Sequence, residues 1–121
     1  MQKQGKILIV DDNEDILFAL NLLLQTHVEK VKVTTKPERI EHFMETFEPD
    51  VILLDMNFNK DADSGQEGLQ WLQKIKQINS DMVVIFITAY AEMQLAVEAI
   101  KMGATDFIPK PWEREKLLAT I

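Results

Sequence analysis

The chain has 121 residues, a length that suits one domain. At that size about two thirds of the unfolded surface can be buried without a structural metal or disulfide. There is no cysteine, which excludes a disulfide scaffold, a zinc–thiolate site, an iron–sulfur cluster and cysteine catalysis, and His27 and His42 are too few for a histidine-built metal site. With 13 basic and 20 acidic residues the net charge is −7, which disfavours direct contact with nucleic acid.

The apolar runs are short. Val83–Ile87 is far below the ~20 residues that a spanning helix needs, and the polar Met1–Gly5 is not a signal peptide. A cytoplasmic protein that makes no membrane contact is the expectation. The 46% hydrophobic content, with four Gly and four Pro, points to a folded chain.

In chain order, Ile7–Val10 predicts strand 1. Asn13 is a candidate N-cap for helix 1, with Glu14 and Asp15 in its positive first turn and Leu17, Leu20 and Leu24 at helical spacing. Val31–Thr34 predicts strand 2. Pro37 suits the first turn of helix 2, where Ile40, Phe43, Met44 and Phe47 follow an i, i+3, i+4, i+7 pattern. Val51–Leu54 predicts strand 3, and Leu69, Leu72 and Ile75 mark helix 3. Met82–Ile87 predicts strand 4, and Met93–Met102 predicts helix 4 with Gly103 just past its end. Phe107–Ile108 predicts strand 5, and Pro111 opens helix 5.

Strands 1, 3 and 4 are apolar without alternation, as parallel strands covered on both faces are. Five strands alternating with five helices predict an α/β fold: a five-stranded parallel sheet, order 2-1-3-4-5, with helices on both faces, as in flavodoxin-like proteins. In such a sheet ligands bind outside the carboxyl ends of the strands. Strand 1 ends in Asp11–Asp12, strand 3 in Asp55, strand 4 in Thr88, and Lys110 follows strand 5. The topology therefore predicts three carboxylates, a hydroxyl and an ammonium along one edge. Clustered carboxylates repel unless a cation joins them, and hard oxygen ligands favour Mg²⁺, with Mn²⁺ as the alternative. A carboxylate so placed can act as the nucleophile that forms an aspartyl-phosphate, with Lys110 and the metal offsetting charge on the phosphoryl oxygens.

Each residue also has a plainer reading. A lone Asp at a strand end is usually a turn former or cap, a lone Lys is solvated, and a lone Thr is a β-branched strand residue. Matched groups at four strand ends of five favour the site. No GxxxxGK[ST] or GxGxxG occurs, so P-loop and dinucleotide folds are excluded. The loop after strand 1, Asp11-Asp12-Asn13-Glu14-Asp15, would repel a flavin phosphate. Asn57–Gly65 spaces oxygen ligands as a calcium loop does. Started at Asn59, however, it places Ser64 where Gly is required and Gln70 where Glu is required, so a polar solvated loop is the better reading.

Taken together, Ile7-Leu8-Ile9-Val10-Asp11-Asp12, Val51-Ile52-Leu53-Leu54-Asp55, Ile87-Thr88-Ala89 and Lys110-Pro111 resemble the receiver domain of bacterial two-component response regulators, over Lys6 to Ile121. Met102-Gly103-Ala104-Thr105-Asp106-Phe107-Ile108-Pro109-Lys110-Pro111 looks most like the NtrC-type branch, whose receivers control transcriptional activators. The resemblance implies a phosphorelay switch: Asp55 accepts a phosphoryl group from the phosphohistidine of a sensor histidine kinase. Asp12 and Asp55 would bind Mg²⁺, with the Asn57 backbone carbonyl as a further ligand and Asp11 assisting through water. Thr88 and Lys110 would contact phosphoryl oxygens. Phe107 would be the switch aromatic that turns inward as Thr88 moves; its plain alternative is core packing. A cis Lys110–Pro111 peptide is also implied.

This sequence departs from the family at Asn57-Phe58-Asn59, which lacks the usual Met-Pro pair, and in a longer stretch to Gly68. Tyr90, two residues past Thr88, is expected to slow loss of the phosphoryl group by obstructing water. A Tyr90→Ala variant with an unchanged dephosphorylation rate would exclude that role. On helix 4, Gln94, Glu98 and Lys101 form a polar stripe inside an apolar arc wider than one buried face requires, which reads equally as a partner surface or as close packing of alanines. Trp112 would extend such a surface or pack on the domain. A homodimer through helix 4, strand 5 and helix 5 is one expectation. Residues 1–121 are expected to be a single receiver domain, the N-terminal fragment of a longer regulator, because Glu115–Ile121 stops in mid-helix on an apolar residue. The alternatives to the switch are a phosphohydrolase, whose usual second Asp is here Asn57, and a protein-binding module that has lost phosphorylation.

Overall fold

A computed structural model describes residues 5–56, 66–89, 93–110 and 117–119. Five strands, β1 (Lys6–Val10), β2 (Lys30–Thr34), β3 (Val51–Asp55), β4 (Val83–Ala89) and β5 (Asp106–Lys110), form one sheet in the order β2-β1-β3-β4-β5. Every neighbouring pair is parallel. Between the strands run α1 (Glu14–Leu24), α2 (Ile40–Thr46), α3 (Gln66–Ile78) and α4 (Met93–Lys101), and residues 117–119 are helical. No helix among the described residues is long and apolar enough to cross a membrane.

The strands' period of two explains why they read as unbroken apolar runs. Leu8, Val10, Ile52, Leu54, Val84 and Phe86 face one side, where they pack with α2, α3 and α4. Their neighbours Ile7, Ile9, Leu53, Ile85 and Ile87 face the other, where they meet Leu17, Leu20 and Leu24 of α1 and Leu117. Each central strand therefore spends its apolar residues on two cores. The edge strand β2, Lys30-Val31-Lys32-Val33-Thr34, is the exception and is mostly exposed.

The local signals act as expected at α1. Asn13 Oδ1 accepts the N–H groups of Asp15 at 2.9 Å and Ile16 at 3.3 Å, and the three predicted leucines are buried. Gly103, with φ at +114°, follows α4 in the left-handed conformation that glycine tolerates. Most boundaries fall within one residue of the sequence pattern, and the larger differences are at α2, β4 and β5. Pro37 opens a 3-10 turn, Pro37–Arg39, before α2 begins at Ile40. β4 runs on through Thr88 to Ala89, and β5 is five residues long rather than two. Pro109 thus lies within β5 opposite Thr88, which is tolerated because β5 is an edge strand with one side of its backbone unpaired in the sheet. Lys110 is the last residue of that strand, not the start of the following loop.

Candidate functional site

The chain leaves β1 for β2 on one side and returns to place β3 on the other, so the strand order reverses between β1 and β3. Crossovers diverge at such a point and leave a crevice at the carboxyl ends. Asp11 follows β1 and Asp55 closes β3, so both lie on that crevice. One carboxylate oxygen from each of Asp11, Asp12 and Asp55 falls within 4.8 Å of the others. Lys110 reaches the same point from the far edge: its Nζ lies 3.0 Å from Asp55 Oδ1 and 3.3 Å from Asp11 Oδ2. Thr88, fully buried on β4, stands in register between the strands that carry Asp55 and Lys110.

The two adjacent aspartates occupy different environments. Asp11 is fully buried and Asp12 only half-buried. Asp11 Oδ1 accepts the Asn13 N–H at 2.9 Å, which joins the carboxylate to the first turn of α1. No hydrogen bond reaches Asp11 Oδ2 among the described residues; the ammonium 3.3 Å away balances its charge. One ammonium among three clustered carboxylates leaves excess negative charge, which a further cation would offset.

Electrostatics give the same picture. Burial, and then the neighbouring Asp11 charge, push Asp55 up from 3.8 to about 7 against the opposing pull of Lys110. Burial also raises Asp11. Burial alone would lower Lys110, but Asp55 and Asp11 outweigh it and hold the ammonium charged. The all-oxygen donor set and the crowded carboxylates of Asp11, Asp12 and Asp55 fit a small divalent cation such as Mg²⁺.

A family model, the response regulator receiver domain, matches residues 7–121. The chain belongs to that family. The receiver domain of a Bacteroides fragilis response regulator shares its fold with a TM-score of 0.89 and 45% identity, over 98% of this chain and 93% of that one. The regulatory protein AtoC of Escherichia coli K12 is 29% identical over 113 residues, 93% of this chain and 23% of AtoC. The transcriptional regulatory protein KdpE of Staphylococcus aureus is 30% identical over 118 residues, 98% of this chain and 48% of KdpE. The DNA-binding transcriptional regulator NtrC of Klebsiella pneumoniae is 29% identical over 119 residues, 98% of this chain and 24% of NtrC. The chain thus spans between about a quarter and a half of these curated relatives. It is a receiver domain of the two-component response regulators, a signalling domain whose relatives regulate transcription.

Of the residues singled out in the sequence, the receiver fold gathers Asp11, Asp12, Asp55 and Lys110 at one point, with Thr88 beside them. Phe107 is partly buried and packs on the α2–α3–α4 side, paired in register with Phe86. Asn57, Tyr90, Trp112, the Asn57–Gly65 loop and the Lys110–Pro111 peptide lie outside the described residues. Two supporting contacts went unread. The Thr34 carbonyl accepts the Asp11 N–H at 3.2 Å, which ties the acidic corner to β2. Gly68 donates its N–H to the Met56 carbonyl at 3.2 Å, and a Cβ on Gly68 would stand 2.5 Å from that oxygen. Only the isolated glycine at the start of an amphipathic helix hinted at the second.

Proposed function

We propose that this receiver is a Mg²⁺-dependent phosphoacceptor switch modified on Asp55. The observation that carries the reading is the Lys110 ammonium held 3.0 Å from Asp55 Oδ1 inside a three-carboxylate cluster. Asp12 and Asp55 would hold the ion, together with the Asn57 backbone carbonyl, with Asp11 assisting through water; Mn²⁺ has the same donor preference. When bound, the cation neutralises excess carboxylate charge and offsets charge on the phosphoryl oxygens.

The chain's own groups do the rest. An Asp55 carboxylate oxygen attacks the phosphorus of a kinase phosphohistidine; the new O–P bond forms as the N–P bond breaks, and the imidazole leaves with the electron pair. Lys110, already a charged donor at Asp55, transfers its hydrogen bond to a phosphoryl oxygen. Thr88 supplies a hydroxyl to another. The added charge biases the β4–β5 edge, where Phe107 is the switch aromatic, and so controls an output domain, most naturally a transcriptional one. The only reactions catalysed are phosphorylation and dephosphorylation of Asp55 itself.

The partners in this reading are a sensor histidine kinase and the regulator's own output domain, with residues 1–121 forming the N-terminal receiver of a longer cytoplasmic protein. A homodimer through helix 4, strand 5 and helix 5 is supported by the exposure of Val97 and Ile100 on α4, whereas Ala96 and Ala99 are fully buried. No direct contact with nucleic acid or membrane is required of this domain.

The test is intact mass after incubation with acetyl phosphate, with and without Mg²⁺, beside Asp55→Asn. A single phosphoryl adduct that needs both Mg²⁺ and Asp55 is expected. If a folded protein gives no adduct with acetyl phosphate or with a cognate kinase, the reading fails.

A further inference from the structure

β2 lies at one edge of the sheet and pairs only with β1 among the described strands. The Lys30 N–H donates to the Gly5 carbonyl at 3.4 Å and the Thr34 carbonyl accepts from Asp11 at 3.2 Å, so these alternate residues face β1. In a parallel ladder the N–H and C=O groups of Val31 and Val33 are then directed off the sheet. The two faces of this edge differ. Val33, 39% exposed, stands beside Phe18, 66% exposed, in a groove of about 530 Å³ that Lys36 and Arg39 also line. Lys30 and Lys32 stand on the opposite face, in a groove of about 650 Å³ with Phe43 and Phe47. Phe43 lines both grooves, so they meet around the edge. Residues 30–39 hold four of the 13 basic side chains and one acid, Glu38, in a chain of net charge −7.

We propose that the β2 edge docks an extended segment of a partner protein in which acidic and apolar residues alternate, added to the sheet as a further strand. Strand addition takes affinity from main-chain bonds and specificity from alternate side chains. Val31 and Val33 offer the bonds. Apolar side chains of the incoming strand meet Phe18 and Val33 on one face, and its carboxylates meet Lys30 and Lys32 on the other. Edge lysines normally discourage strand association. A second copy of β2 would set these lysines against their own kind, which is destabilising; an acidic strand turns the same charges to attraction. Nucleic acid, the other polyanion, has no row of alternating amide and carbonyl groups to match Val31 and Val33.

The experiment is a titration of the ¹⁵N-labelled chain with a capped peptide of alternating Glu and Val. Peptides of Glu alone and of alternating Lys and Val, and a single-stranded oligonucleotide, serve as comparisons. Saturable shifts centred on Val31, Val33 and Phe18 are expected with the Glu–Val peptide, together with slower hydrogen exchange at the Val31 and Val33 amides. Lys30→Glu combined with Lys32→Glu, both at exposed positions, should weaken binding by roughly tenfold with an unchanged circular dichroism spectrum. The proposal is overturned by the absence of saturable shifts, by equal binding of the Glu-only peptide, or by tighter binding of the oligonucleotide at the same amides. Self-association through these amides without peptide would overturn it too.

Discussion

At the carboxyl end of β3, Asp55 has lost most of its hydration and faces Asp11, and these two effects carry its carboxyl from 3.8 to about 7. The native state therefore binds more protons than the unfolded chain between those values. By linkage the metal-free protein gains stability as pH falls from about 7 toward 4, and loses it as pH rises back through 7. The size is of order 2–4 kcal/mol, from the free energy that corresponds to a carboxyl displaced this far. Asp55→Asn removes the buried charge and leaves Lys110 paired with Asp11. In metal-free buffer at pH 7.5 or above we expect this variant to resist urea better than the parent, by about 1–3 kcal/mol, with the advantage shrinking near pH 5. Urea midpoints across that range, without divalent cations, provide the check. That Asp11 and Asp55 would lie together was legible from their places at the ends of apolar runs. Which of Asp11 and Asp12 would be buried was not, because neighbours in sequence point to opposite sides of the chain.

Among the elements, α3 shows how a helix can set the position of a site it does not line. Its Gly68 packs on the Met56 backbone, next to Asp55. An added Cβ would stand 2.5 Å from the Met56 oxygen and 3.0 Å from its Cα and C, all main-chain atoms that cannot swing aside. Gly68→Ala should cost about 1–3 kcal/mol of stability, as overpacking does. It should also weaken Mg²⁺ binding, because Met56 must shift with Asp55 attached to it; isothermal titration with Mg²⁺ reads the second effect. At the other end of α3, Lys76 Nζ donates to the Met82 carbonyl at 2.6 Å and to the Ser80 carbonyl at 3.3 Å, fastening the turn into β4. Lys76→Met keeps the stem and removes the donors, so a loss of about 1–2 kcal/mol in thermal unfolding is expected. Helix periodicity revealed α3 and its buried face. It could not reveal these contacts, which join the helix to main-chain atoms outside its own repeat.

For the whole molecule, the cation site couples two separated segments, the ends of β1 and β3, and its occupancy should appear in global stability. If Asp11, Asp12 and Asp55 bind Mg²⁺, a tenfold excess over Kd stabilises the fold by roughly 1.4 kcal/mol and raises Tm by a few degrees. Asp12→Asn and Asp55→Asn should abolish the increment. Asp81→Asn, an exposed acid in the turn before β4, should leave it intact. Differential scanning calorimetry with and without Mg²⁺ distinguishes these outcomes.

Fold class and strand order were readable from the chain alone because they rest on local periodicity: short apolar runs alternate with amphipathic stretches, and right-handed crossovers admit few ways to assemble them. The acidic and basic candidates were readable for a related reason, since strand ends map to one edge of a parallel sheet. What tertiary structure decided is everything that depends on distance through space. It placed one ammonium on both Asp55 and Asp11, left Asp11 Oδ2 without a hydrogen bond among the described residues, extended β5 so that Lys110 ends a strand, and opened the β2 edge between two unlike grooves. Burial and charge coupling are set between residues 44 or 55 positions apart, such as Asp11 with Asp55 and Asp55 with Lys110. No pattern confined to one segment contains them.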